Sequence, residues 1–151
     1  MNVVYVTGNP NKAKYFARMT KLDIPHVDLD LDELQSTSLR EIVEHKARQA
    51  YALVNKPVIV EDSKLSFYIL GALPGTFIKW FQQEIGEEGL CKLLDGYGDR
   101  TAFAGAAIAY FDGTNLEIFE RELEGTIAKA PSKNSTGFGW NTIFIPKGAD
   151  I

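Results

Sequence analysis

Two adjacent acids, Glu61 and Asp62, follow directly on the apolar run Val58-Ile59-Val60. The run has strong β preference and reads as a short buried strand that ends in the acids. Paired carboxylates at the carboxyl end of a strand in an α/β sheet can hold a divalent cation or activate a water, the chemistry of metal-assisted hydrolysis. An exposed turn carrying two solvated acids is the alternative. Glu33, within Asp32-Glu33-Leu34-Gln35, is a candidate second metal-facing acid, or else part of an acidic edge that keeps a strand from pairing with other chains.

Groups that could receive an anion stand elsewhere in the chain. Thr7-Gly8-Asn9-Pro10-Asn11-Lys12 follows the β-type run Asn2 to Val6, and Asn9 and Pro10 are suited to the N-cap and first position of a helix. A strand, a tight loop and a helix N-terminus present free N–H groups and the positive dipole end, which suits a phosphate. It is not a Walker loop, for it lacks the second spaced glycine and the Lys-Ser/Thr pair, and an ordinary βα turn has the same outline. Lys46 projects toward the packed side of its helix, so it either snorkels to the edge or meets an anion. Lys79 is the single cation in the aromatic segment Phe77-Ile78-Lys79-Trp80-Phe81. In Gly137-Phe138-Gly139-Trp140-Asn141, two glycines let backbone approach a flat ligand on which rings stack, and Asn141 offers a donor and an acceptor. A glycine loop whose aromatics plug the core fits equally well.

Several elements must position these groups. A helix from Pro10 packs through Ala13, Phe16, Ala17 and Thr20. His26 to Leu31 alternates as a second strand would, and Ser38-Leu39-Arg40-Glu41 is a capping box opening a helix to about Val54, with Leu39, Ile42, Val43, Ala47, Ala50 and Val54 as its apolar stripe. Gly71, Pro74 and Gly75 punctuate the chain before a helix that Gly86 and Gly89 interrupt. Thr101 to Phe111, apolar on both faces, reads as a strand covered on both sides. Asp112-Gly113-Thr114-Asn115 is a hairpin signal, Leu116 to Leu123 the return strand, and Gly125 to Ala128 a further short one. Glu117, Glu120, Glu122 and Glu124 make a solvated face.

Bulk composition narrows the class. At 151 residues and 45% hydrophobic, the chain suits one domain over residues 1–151, which would bury roughly 68 to 70% of its unfolded surface. Cys91 has no partner for an internal disulfide and reads as a small buried hydrophobe, consistent with a reducing cytoplasm. No basic region leads into a long apolar stretch, and the longest apolar run, Ala104 to Phe111, is far short of the ~20 residues of a membrane span. The expectation is a soluble, unprocessed protein. A net charge of −4 argues against general affinity for nucleic acid and leaves a small anionic ligand open.

Taken together, Thr7 to Lys12, Val60-Glu61-Asp62-Ser63, Leu73-Pro74-Gly75 with Lys79-Trp80-Phe81, and Gly137-Phe138-Gly139-Trp140 stand in the order seen in the inosine triphosphate pyrophosphatase family, and the chain resembles that family over nearly its whole length. Its members hydrolyse aberrant purine nucleoside triphosphates such as ITP, dITP and XTP to the monophosphate and pyrophosphate. The resemblance implies an elongated, two-lobed α/β fold with a long mixed sheet and a central cleft, a homodimer, and Mg²⁺. By position it implies that Thr7, Gly8, Asn9, Asn11 and Lys12 hold the triphosphate, and that Glu33 and Asp62 hold the metal. Asp62 would also be the base, with Glu61 beside it. Ser63, Lys46 and Lys79 would contact substrate, and Phe138, Gly139, Trp140 and Asn141 the base of the nucleotide. Asn141 stands where the family usually has Asp, and Lys64 where a small residue is usual. The family's sequences continue past the position of Ile151 through a lysine and a Ser-His-Arg motif that read the purine 6-oxo group. These departures imply a relaxed or altered base preference, with a non-catalytic nucleotide-binding relative as the alternative.

Overall fold

The structure is a computed structural model describing residues 2–133 and 139–149. Its strands are β1 (Val4–Val6), β2 (His26–Val27), β3 (Val58–Phe67), β4 (Pro74–Gly75), β5 (Thr101–Phe111), β6 (Leu116–Ile127) and β7 (Phe144–Pro146); its helices are α1 (Pro10–Thr20), α2 (Leu39–Val54) and α3 (Ile78–Leu93). The strands form one mixed sheet in the order β2-β1-β3-β5-β6-β7, with β4 attached to β3. The α/β class expected from the sequence is therefore the class observed. Among the described residues no helix is long and apolar enough to cross a membrane. The chain divides into two compact units, Met1–Asp62 with Ala106–Glu120 and Ser63–Gly105 with Arg121–Ile151.

The first unit is built on parallel pairing. Tyr5 of β1 lies opposite His26 of β2 on one side and Ile59 of β3 on the other, and parallel neighbours need crossover connections, which α1 and α2 supply. α1 starts where expected, for the Asn9 side chain accepts the Asn11 N–H at 2.9 Å and Pro10 stands at the first turn. At its end Lys21 is left-handed (φ 55°) and returns its N–H to the Ala17 carbonyl. α2 is capped by Ser38, which accepts from the Glu41 N–H at 3.3 Å. The capping box is not reciprocal: Glu41 Oε2 accepts from the Ser36 hydroxyl at 2.6 Å. The predicted stripe of α2 is buried at Leu39, Ile42, Val43, Ala47 and Ala50. It packs with Val58 and Val60 of β3 and Ala107, Ala109 and Phe111 of β5.

The second unit gathers Leu65 and Phe67 of β3, Ile78, Leu90 and Cys91 of α3, and Leu94, Ala102, Ile127 and Ile143. Each large aliphatic or aromatic side chain so buried stabilises by roughly 1.5 to 3 kcal/mol relative to exposure. α3 breaks at Gly86, whose φ of 66° suits glycine. Cys91 is buried as expected, and burial raises its thiol pKa. Arg100 ties the unit together: its guanidinium donates to the carbonyls of Ile127 at 2.8 Å, Cys91 at 2.8 Å and Ala128 at 2.7 Å.

Four expectations are revised. β3 does not end at Val60; it continues through the acids to Phe67. Burial along it runs Val58, Val60 and then Leu65, Phe67, so the alternation slips by one where Glu61 to Lys64 are half-buried, and no single period-2 pattern marks the strand. β2 is only His26–Val27, because its partner β1 stops at Val6 and leaves Asp28 to Leu31 nothing to pair with. β6 runs unbroken to Ile127, absorbing the separate short strand expected from Gly125. On β5 the expected cover is incomplete, since Ala106 and Ile108 are exposed.

Candidate active site

Glu61 and Asp62 follow one another on β3, and each meets a lysine from a different helix. Lys12, in the first turns of α1, stands 3.5 Å from Glu61, and Lys46, from the middle of α2, stands 3.6 Å from Asp62. Lys46 also donates to the Glu61 backbone carbonyl at 3.0 Å, in keeping with its inward direction: it meets one acid, Asp62, and a carbonyl. These side chains are 27 to 31% exposed, and such long, half-wet pairs are worth about 0 to 1 kcal/mol. The lysines are thus held near the acids at little cost to their release.

The loop before α1 is shaped by its own side chains. Thr7 is anchored by its N–H to the Val27 carbonyl at 3.0 Å, and its hydroxyl accepts the Asn9 N–H at 3.1 Å. A Cβ at Gly8 would lie 2.9 Å from the Asp28 carboxylate, so only glycine fits beside this acid without moving it. Asp28 is a neighbour of the loop that the sequence hides among Asp28, Asp30 and Asp32; the glycine demanded at position 8 is the trace of it. Glu33 is exposed, in the segment between β2 and α2, which Gln49 of α2 holds by accepting the Asp32 N–H at 2.8 Å.

Among the described residues no cluster of three or more His, Cys, Asp or Glu side chains is assembled. A cage of protein ligands is not what Mg²⁺ requires. It keeps several waters and is commonly held by one or two carboxylates together with substrate phosphates, and Asp62 and Glu33 carry hard oxygen donors of that chemical kind.

In the second unit, Ser63 is half-buried and Lys79 places its ammonium 5.0 Å from the Trp80 ring centre, with Trp80 half exposed. Lys64 is engaged: its ammonium pairs with Glu122 at 3.0 Å and its stem lies over Gly105. Gly139, Trp140 and Asn141 form a 3-10 turn over Gly139–Thr142. Trp140 packs on the core and Asn141 is exposed. Phe138 lies outside the described residues.

A parallel βα unit with a polar loop at the helix start, an acid pair on the neighbouring strand and a lysine beside each acid is an arrangement chemically suited to phosphate groups. The chain belongs to the Ham1 family, whose sequence model matches residues 3–150. It is 41% identical to the inosine triphosphate pyrophosphatase of Yarrowia lipolytica over 98% of this chain and 80% of that one. Its identity to inosine triphosphate pyrophosphatase 1 of Trypanosoma cruzi is 40%, over 95% and 74% of the two chains. Among solved structures it resembles a HAM1 protein from Coxiella burnetii, with a TM-score of 0.80 at 24% identity over 95% and 81% of the chains. A dITP/XTP pyrophosphatase from Mycobacterium abscessus gives 0.77 at 23% identity over 99% and 85%. These likenesses establish the shared fold.

Proposed function

We propose that the chain hydrolyses aberrant purine nucleoside triphosphates such as ITP, dITP and XTP to the monophosphate and pyrophosphate, with Mg²⁺. The observation that carries this reading is the pair of lysines standing 3.5 and 3.6 Å from the acids Glu61 and Asp62. Membership of the Ham1 family and the names of its relatives support it. Asp62 and Glu33 would hold Mg²⁺, which would supply charge neutralisation on the phosphates. Lys12, with the loop residues Thr7, Gly8, Asn9 and Asn11 before it, takes the triphosphate, and Lys46 shares its charge. Asp62 accepts the proton of the water attacking the α-phosphorus, with Glu61 beside it.

Ser63, Lys79, Gly139, Trp140 and Asn141 keep the substrate contacts given them by the resemblance, the 151 residues acting as one nucleotide-handling domain. An Asn amide can donate to a 6-oxo group or accept from a 6-amino group, so with Asn141 in place of Asp the base preference is broader than the family's. We place the protein in the cytoplasm as a homodimer. Pyrophosphate release with Mg²⁺ from ITP, dITP, XTP, GTP and ATP tests the whole reading. Asp62→Asn is expected to lower kcat by about 10² to 10⁴-fold with the fold intact. Unchanged turnover in that variant removes Asp62 from the chemistry, and nucleotide binding without turnover in the natural chain favours a binding protein.

A further inference from the structure

The loop that leads into α1 leaves the sheet between two acids. Val6 of β1 lies opposite Val27 of β2, and Tyr5 lies opposite Ile59 of β3. By that register Thr7 stands level with Asp28 on one side and with Glu61 on the other. The Thr7 N–H, donating to the Val27 carbonyl at 3.0 Å, ties the start of the loop to the end of β2. Both acids therefore stand at the carboxyl ends of parallel strands, where α/β sheets gather their ligands.

The two are provided for differently. Glu61 has Lys12 at 3.5 Å. Asp28 is exposed, and among the described residues its carboxylate has no ion-pair partner. It nevertheless lies against the loop: a Cβ at Gly8 would stand 2.9 Å from its Oδ1, 3.3 Å from its Cγ and 3.4 Å from its Oδ2. The whole carboxylate thus faces the side of Gly8 that a side chain would occupy. A negative charge held there opposes any anion that the loop receives, and like charges a few ångströms apart at a protein surface lower affinity by about tenfold or more. An anion partly neutralised by Mg²⁺ is opposed less, and the waters that Mg²⁺ keeps are donors to a carboxylate. We propose that Asp28 is a specificity-determining residue of the loop: it disfavours metal-free phosphate chains and so restricts binding to their Mg²⁺ complexes. The inference rests on reading Thr7 to Lys12 as the phosphate site.

Inorganic pyrophosphate, which the proposed reaction releases and does not consume, is the probe, titrated calorimetrically into the chain with EDTA and with Mg²⁺. Asp28→Asn keeps the size of the side chain and removes its charge. It is expected to strengthen binding of metal-free pyrophosphate by about tenfold and to change binding of the Mg²⁺ complex by about twofold or less. Asp30→Asn removes an equal charge two residues along and should move either affinity by about twofold at most. Lys12→Met should weaken binding in both media; unchanged binding there removes the phosphate site, and the role of Asp28 with it. If Lys12→Met weakens binding while Asp28→Asn shifts both media equally or neither, or Asp30→Asn gives the same gain, the role of Asp28 alone is overturned. Metal-free pyrophosphate bound by neither the natural chain nor Asp28→Asn overturns it as well.

Discussion

In the second unit Arg100 commits its guanidinium to three backbone carbonyls at 2.7 to 2.8 Å and reaches Asp95 at 3.2 Å, with only 17% of its side chain exposed. In the first, Lys12 and Lys46 stand 3.5 and 3.6 Å from carboxylates and keep more than a quarter of their side chains in water. The difference separates two uses of a cation. Carbonyls that have lost water need their donors, so a planar group that satisfies three of them at once joins α3 to the end of β6. A lysine at the long edge of an ion pair has given up little hydration and can change partners.

Removing each kind of cation should break different properties. Arg100→Met keeps the bulk and leaves three carbonyls without their charged donor; we expect a loss of about 3 kcal/mol and a fall in Tm of roughly 10 °C. Activity per folded molecule should persist, and thermal denaturation monitored beside a turnover assay distinguishes the two. Lys46→Met should do the reverse. Stability should fall by only about 1 to 2 kcal/mol, for the lost bond to the Glu61 carbonyl, while pyrophosphate release falls by about 10²-fold, because a charge that meets developing negative charge on phosphate is lost. If Lys46→Met unfolds the chain, or Arg100→Met leaves Tm unchanged, the contrast between structural and available cations is wrong.

How much of this was legible beforehand follows from the range of the interactions. Asn9, Pro10 and Ser38 announce their helix starts because capping is a contact within three residues, and the stripe of α2 repeats at helical spacing. The inward Lys46 could be read the same way. Its partners could not, since Glu61 and Asp62 are fifteen and sixteen residues on and belong to a strand whose alternation slips at that point. Arg100 carried no signal either. It reaches Ile127 and Ala128 across a loop and a hairpin, and its isolated place between Asp99 and Thr101 says nothing about carbonyls. Lys64 stands where a small residue is usual, and only the folded chain reveals that Glu122 engages it.

The smallest expected effect extends the comparison from cations to an anion that is purely structural. Asp112 closes the β5–β6 hairpin by accepting from the backbone N–H groups of Asn115 at 2.6 Å and Thr114 at 2.9 Å, and the Asn115 amide adds a third bond at 3.2 Å. These donors favour the charged form and lower its pKa below the usual aspartate value of 3.8, the Asn115 N–H contributing most. A depressed folded pKa means that the stabilisation is fully present above the unfolded value and disappears as pH falls through the folded one. Asp112→Asn keeps an oxygen acceptor but cannot be protonated in this range. The Tm difference between wild type and Asp112→Asn should be constant from pH 7 to about 5 and shrink below about 4. Because Asp112 is partly open to solvent, the difference should also decline with added salt. Pyrophosphate release at neutral pH should be unaffected, for this anion has its donors already, whereas Glu61 and Asp62 are left to share loosely held lysines.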